Sequence, residues 1–139
     1  MGVLGTTQVL TDEGYIKISD LKVGTIVMTH SNRYLKVVNK KISKLSEDLY
    51  KLDVFLSVPL YVSGSHLILT DKNETLTVNS IKKKSCVVVY CFNYNEATFY
   101  DVEVKGICIV PSKDEFVYDL RIEGDNSFIG NGIVLGGMI

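Results

Sequence analysis

The sequence predicts an all-β domain, and three observations carry that reading. No window shows apolar residues recurring at the three-and-four spacing of an amphipathic helix. Short runs rich in Val, Ile, Leu, Thr and Tyr alternate instead with polar turn clusters, at intervals of about ten residues. Near the C-terminal end, Glu123-Gly124-Asp125-Asn126 and Asn131-Gly132 are turn signals set between apolar runs, the grammar of strand, turn and strand. At 139 residues the chain (1–139) is expected to form one domain. A chain of this size buries roughly two thirds of its unfolded surface and needs no covalent staple.

The elements follow in order. Residues 3–10 form a β-branched run closed by the turn Thr11-Asp12-Glu13-Gly14. Residues 15–18 alternate, 19–24 make a compact polar turn with Leu21 and Val23 as apolar anchors, and 25–29 are strand again. Residues 34–45 and 49–54 are strands separated by the charged turn Ser46-Glu47-Asp48. The run 60–70 holds Ser63-Gly64-Ser65-His66 at its centre, and a turn follows over 71–74. Residues 76–81, 86–92 and 97–108 add strands, split by the solvated lysine turn 82–84 and by Asn93-Tyr94-Asn95-Glu96. The last strands are 116–122 and 127–135, the second broken by Asn131-Gly132. Leu49-Tyr50-Lys51-Leu52-Asp53-Val54 echoes Val117-Tyr118-Asp119-Leu120-Arg121-Ile122, the trace that a pseudo-two-fold β fold would leave.

Composition excludes several functions. Fifteen Lys and Arg against sixteen Asp and Glu give a net charge of −1, so no global field draws the chain to nucleic acid or to lipid headgroups. Cys86, Cys91 and Cys108 are odd in number and lack the paired C-x2-C spacing of zinc sites. Buried thiols in a reducing compartment are expected, with no metal and no cofactor. The opening residues lack a charged segment followed by an apolar run, and no apolar stretch approaches the ~20 residues of a membrane span. An intracellular, cytoplasmic, soluble monomer is expected.

Two stretches carry a family resemblance. The opening TQVLTDEGYIKISDLKVGTIVMT and the closing FVYDLRIEGDNSFIGNGIVLGG together resemble the first and last motifs of the Hint family, the fold of inteins and hedgehog autoprocessing domains. In that family a Tyr-Asp-Leu strand leads to a Phe-x-x-Asn-Gly-Ile-Val strand, and inteins then end in His-Asn. The resemblance covers nearly the whole chain and is vaguest over residues 75–105. Only about thirty residues stand there, where larger inteins insert a homing endonuclease. A mini-intein spanning 2–137, with 138–139 as downstream flank, is implied. Its partners are the flanking host segments, in cis.

Splicing, as the resemblance implies it, is a single-turnover, autocatalytic sequence: an acyl shift onto the first residue, transfer to a downstream nucleophile, cyclisation of a terminal Asn, and re-formation of an amide. Each transfer needs a nucleophile, a proton donor for the leaving group and support for an oxyanion. Counting back from Thr7-Gln8-Val9 puts the first nucleophile position on Gly2, which has no side chain to attack with. Gly2 reads as a replacement of the parent residue and Met1 as an initiator. His66 matches the histidine that gives a proton to the scissile nitrogen, chemistry that an imidazole performs near neutral pH. Ser63 replaces the usual Thr of Thr-x-x-His and keeps its hydroxyl. Asp119 matches an Asp that steers the thiol proton, and it is equally open to a structural role bonding backbone. Asn126 stands where a His often assists cyclisation; an amide bonds but shuttles no proton. Gly136 takes the penultimate His position and Gly137 the terminal Asn position, so no succinimide can form. Met138 offers no acceptor. His30 is expected to be an exposed turn residue, and Asn131-Gly132 a turn. The sequence therefore implies an intact scaffold that neither splices nor cleaves. The alternatives are a Hint-type processing relic that serves as a structural module, or an unrelated β-barrel binding domain.

Overall fold

In a computed structural model of the chain, residues 1–93, 96–111 and 115–138 are described. They form fourteen strands and one turn of 3-10 helix. The strands are β1 (Val3–Leu4), β2 (Gln8–Thr11), β3 (Gly14–Lys17), β4 (Ile26–Met28), β5 (Tyr34–Lys44) and β6 (Leu49–Val54), then β7 (Leu60–Ser63), β8 (Leu67–Leu69), β9 (Thr75–Thr77), β10 (Cys86–Asn93), β11 (Glu96–Val110) and β12 (Phe116–Ile122), and last β13 (Ser127–Gly130) and β14 (Ile133–Gly136). All register pairings are antiparallel.

The first six strands and the next six repeat one plan. β4–β5 and β10–β11 are hairpins whose long second strands reach the opposite half. β5 pairs with β12, and β11 pairs with β6. β12 also pairs with β1, and β6 with β7, so each half lends its sixth strand to the other. β1 and β7 meet at Val3↔Val62. The turns obey the same symmetry. Ile18 N donates to Thr7 O at 2.8 Å and Val78 N to His66 O at 2.9 Å; Ser19 N donates to Gly5 O at 3.2 Å and Asn79 N to Gly64 O at 2.9 Å. Thr11 Oγ1 donates to Gly14 O at 2.6 Å, and Thr70 Oγ1 to Glu74 O at 3.0 Å.

The expected strand 3–10 is two strands, because Thr7 N turns back to Leu4 O at 3.0 Å. The expected strand 60–70 breaks in the equivalent place, where His66 N donates to Ser63 O at 3.1 Å. The run 76–81 is also corrected: β9 ends at Thr77 and the 3-10 turn Val78–Ser80 follows, burying Val78 between the layers. Of the turn expected at Asn93-Tyr94-Asn95-Glu96, residues 94 and 95 lie outside the described residues.

Every residue of β13 and β14 is buried, so this hairpin is the centre of the core. Phe128, Ile133 and Leu135 pack there with Ile68, Leu120 and Val9. Each fully buried aliphatic or aromatic side chain contributes about 1.5–3 kcal/mol. The hairpin turn has Asn131 at φ 51° and Gly132 at φ 86°, left-handed at both positions as a two-residue hairpin turn requires. Asn131 Oδ1 accepts Gln8 N at 2.8 Å and its Nδ2 donates to Pro59 O at 2.9 Å, so the turn is pinned on both sides. β2 pairs with β13 at Gly130↔Val9, which leaves a single strand between β2 and β14.

Candidate functional site

The residues near the two ends of the chain dock on β12, on either side of one residue. β1 lies along it with Val3 opposite Tyr118, and Met138 N donates to Leu120 O at 2.7 Å. Asp119, between them, is 2% exposed.

Ser63, the last residue of β7, is fully buried beside Gly2. Gly2 N donates to Ser63 Oγ at 2.9 Å, and Ser63 N donates to Gly2 O at 2.9 Å, so the two residues are clasped through side chain and backbone. His66 follows in the turn and packs its ring edge-on to Phe128, with centroids 6.1 Å apart. Among the described residues, the two ring nitrogens of His66 are the buried side-chain polar atoms that lack a hydrogen-bond partner. An unpaired buried imidazole resists protonation: burial pulls its pKa down to about 4, the nearby Gly136 backbone opposing, with the Met1 amino group pulling down and Glu47 pushing up. His66 is therefore neutral at pH 7, with one N–H to give and one lone pair to accept.

Asp119 is displaced the other way. Burial pushes its carboxyl up to about 7, against the Leu120 N–H that bonds Oδ1 at 2.9 Å and against the positive charges of the Met1 amino group and Lys41. The ordinary affinities are thus inverted, the carboxyl holding its proton more tightly than the imidazole.

At the downstream end, Asn126 sits at φ 46° and bonds the chain that leaves the hairpin. Its Oδ1 accepts Ile122 N at 3.0 Å, its Nδ2 donates to Met138 O at 2.8 Å, and its backbone O accepts Gly137 N at 2.8 Å. A Cβ built on Gly137 would fall on Asn126 Oδ1 and 2.9 Å from Leu120 O. A Cβ on Gly136 would lie 2.9 Å from Leu67 Cβ. At Gly2 a Cβ would approach Val117 Cβ and Tyr118 O, each at 2.9 Å. The space of all three junction side chains is occupied by neighbours.

Sequence reasoning missed two partners. Glu47 accepts both Ser65 N and Ser65 Oγ, and Asp48 O accepts Gly64 N at 3.1 Å, so the 46–48 turn braces the loop that carries Ser63 and His66. His30, though exposed, is not idle: its Nδ1 lies 2.7 Å from Ser127 Oγ, which also accepts His30 N at 2.9 Å. Ser127 stands opposite Gly136, and both line a cleft of about 480 Å³ with His30, Glu74 and Asn126. Beside it Asp125 is held well below the usual carboxylate range by hydrogen bonds from Arg33, Ser31 and Thr29. Nothing in the residue types of Thr29-His30-Ser31 announced a partner ninety-seven residues away. Among the described residues no group of three His, Cys, Asp or Glu is placed to hold a metal, and no helix is long and apolar enough to cross a membrane.

No family model matches the sequence, and no curated protein matches it. Solved structures do. The chain is similar to the gp41-1 intein at 23% identity over 98% of each chain, with a TM-score of 0.79. It is similar to the DnaX mini intein from Spirulina platensis at 19% identity over 99% of this chain and 100% of that one, TM-score 0.80. To a DnaB intein from Synechocystis sp. PCC 6803 it is 16% identical over 99% of each, TM-score 0.81. At these identities the likeness is one of fold, and it runs the length of the chain. From end to end, the protein carries the Hint fold in the compact form of the mini-inteins.

Proposed function

We propose that the chain is a mini-intein whose two junction residues have been replaced, a protein-splicing scaffold that holds its ends for reaction but cannot complete the sequence. The observation that carries this reading is the docking of Gly2 and Met138 beside neighbouring residues of β12, with Ser63, His66 and Asp119 around them. Splicing needs both junctions in one place, since reacting atoms must come within about 3.5 Å. Ser63 and His66 serve the upstream bond and Asp119 supplies and takes the proton. Asn126 positions the downstream segment without relaying a proton. The partners are host segments fused in cis, and the element proper is 2–137. Neither Gly2 nor Gly137 offers the group that an acyl shift or a succinimide requires.

The test is a fusion of the full chain between two distinguishable proteins. Mass spectrometry is expected to find no ligated flanks and no succinimide-ended product. A ligated product would overturn the assignment of Gly2 and Gly137. A second reading, a Hint relic kept as a structural module, is favoured by the packing of Leu67 and Asn126 into the side-chain space of Gly136 and Gly137. The coding sequence on either side separates the two, because an intein interrupts a host reading frame and a relic does not.

A further inference from the structure

Loss of the residue-2 side chain removes the usual nucleophile, yet a hydroxyl remains against the same bond. Gly2 N, the leaving atom of the Met1–Gly2 peptide, is 2.9 Å from Ser63 Oγ. With a C–N bond of about 1.33 Å, that places Oγ about 4 Å from the Met1 carbonyl carbon, near the plane of the amide, so attack requires a turn about χ1. We propose that Ser63 is itself a nucleophile for this bond, so that the chain hydrolyses its upstream junction where splicing is closed to it. The inference rests on the reading of Gly2 as the first residue of the element.

Four features of the molecule support it. Ser63 is fully buried, so its hydroxyl meets the bond with no solvent layer between them. Among the described residues, the hydrogen bond that Ser63 Oγ makes is the one it accepts from Gly2 N. Serine lacks the γ-methyl of the Thr expected at this position, and an unbranched side chain turns freely about χ1 where a β-branched one is stiff. Oγ can therefore swing from the amide nitrogen to the carbonyl carbon. Finally, His66 is tied to the same turn through its N–H to Ser63 O at 3.1 Å. The cysteines offer no rival, since they lie on β10 and β11.

The step balances. Ser63 Oγ bonds to the Met1 carbonyl carbon, the bond from that carbon to Gly2 N breaks, and the Ser63 hydroxyl proton ends on the departing nitrogen, which lies 2.9 Å from Oγ. The products are an ester on Ser63 and a chain with Gly2 as its free amine. Water then hydrolyses the ester, returning Ser63 as the alcohol and the upstream segment as a carboxylic acid. The ester is the less stable acyl form, and its hydrolysis draws the reaction forward.

The experiment fuses a reporter protein upstream of the full chain and follows its release. Hydroxylamine is expected to speed release and to leave a hydroxamate on the reporter, the liberated chain beginning at Gly2. Scission at Asn131-Gly132, the other bond sensitive to this reagent, is told apart by fragment mass. Ser63→Ala is expected to slow release about 10²-fold. Ser63→Cys, which keeps a nucleophile, is expected to make release depend on added thiol, a change that a merely positioning residue would not give. If Ser63→Cys is folded by circular dichroism and releases nothing with thiol, or if Ser63→Ala releases as fast as the parent, the proposal is overturned. A ligated product in the double fusion would instead overturn the replaced-junction reading, so the two failures are distinguishable.

Discussion

Gly2 near one end of the chain and Gly136 and Gly137 near the other lie in different surroundings. Upstream, Gly2 is clasped by Ser63 on one side and by the β12 backbone on the other, and the groups that would serve a reaction still surround the bond. Downstream, Leu67 and Asn126 occupy the room that two side chains would need, and the amide of Asn126 bonds Ile122 N and Met138 O. The difference teaches that absence of a nucleophile and absence of a site are separate conditions. At one end the polar groups of Ser63 and of the β12 backbone line the chain, and at the other the side chains of Leu67 and Asn126 fill the room beside it.

The largest effect expected from breaking this comparison is kinetic. In a fusion behind an upstream protein, Gly2→Cys is expected to give thiol-dependent release, and adding His66→Ala should slow it by about 10²-fold, the scale of a positioned proton donor. Ser63→Ala in the same background should cost less, because Cys then carries the attack. Since a Cβ at residue 2 meets the Tyr118 backbone, Gly2→Cys should also lower the melting temperature. Equal release with and without His66 would remove the imidazole from the site.

Next in size is the pH dependence of stability, which sharpens the upstream half. His66 has a folded pKa of about 4 against 6.5, so the unfolded chain binds more protons between those values and stability falls as pH drops from 6.5 to 4. Asp119 has a folded pKa of about 7 against 3.8, so the folded chain binds more protons and stability rises as pH drops from 7 to 3.8. The two slopes oppose each other over nearly the same window. The parent protein should show little net change from this pair, while Asp119→Asn should lose about 2 kcal/mol between pH 6.5 and 4 and His66→Ala should gain a similar amount. Urea denaturation at fixed pH values reads this directly. Parallel slopes in the two variants would contradict the inverted proton affinities.

The smallest effect tests the closed end. Gly137→Asn is expected to destabilise by about 1–3 kcal/mol, the usual cost of overpacking, and to release no downstream flank. In an Asn126→Ala background the same substitution should cost less than half as much, since the occupant of the space is gone. Additive costs in a double-mutant cycle would mean that the two residues do not share it.

The sequence shows the strands because burial on two-sided sheets leaves alternating or continuous apolar runs, and it shows the 131–132 turn because left-handed backbone selects Asn and Gly. What escaped is instructive. The six-residue echo of β6 and β12 was visible, yet the stronger repeat was not read: Val3-Leu4-Gly5-Thr6-Thr7-Gln8-Val9-Leu10-Thr11-Asp12 against Val62-Ser63-Gly64-Ser65-His66-Leu67-Ile68-Leu69-Thr70-Asp71. It shares Val, Gly, Leu, Thr and Asp at matching places, and its differing places include Leu4 against Ser63 and Thr7 against His66. Chemistry in one copy disguised common backbone in both. The identities of Ser63, His66 and Asp119 as neighbours of the ends were legible through the family resemblance alone, and the resemblance also fixed Asn126. The bracing role of Glu47 and the Ser127–His30 pair were not, because a turn glutamate and a loop histidine gain partners only when distant strands are brought into register.

The β10–β11 hairpin carries one more consequence. Its register runs from Cys86↔Glu103 to Asn93↔Glu96, and every strand after that turn is inserted among strands that precede it. β11 lies between β10 and β6, β12 between β1 and β5, and β14 against β13 and β8. A chain cut at the hairpin tip would yield two fragments, neither able to satisfy its backbone hydrogen bonds alone. Their association would be a folding reaction, cooperative and concentration-dependent, in which recognition and assembly of the core are a single event.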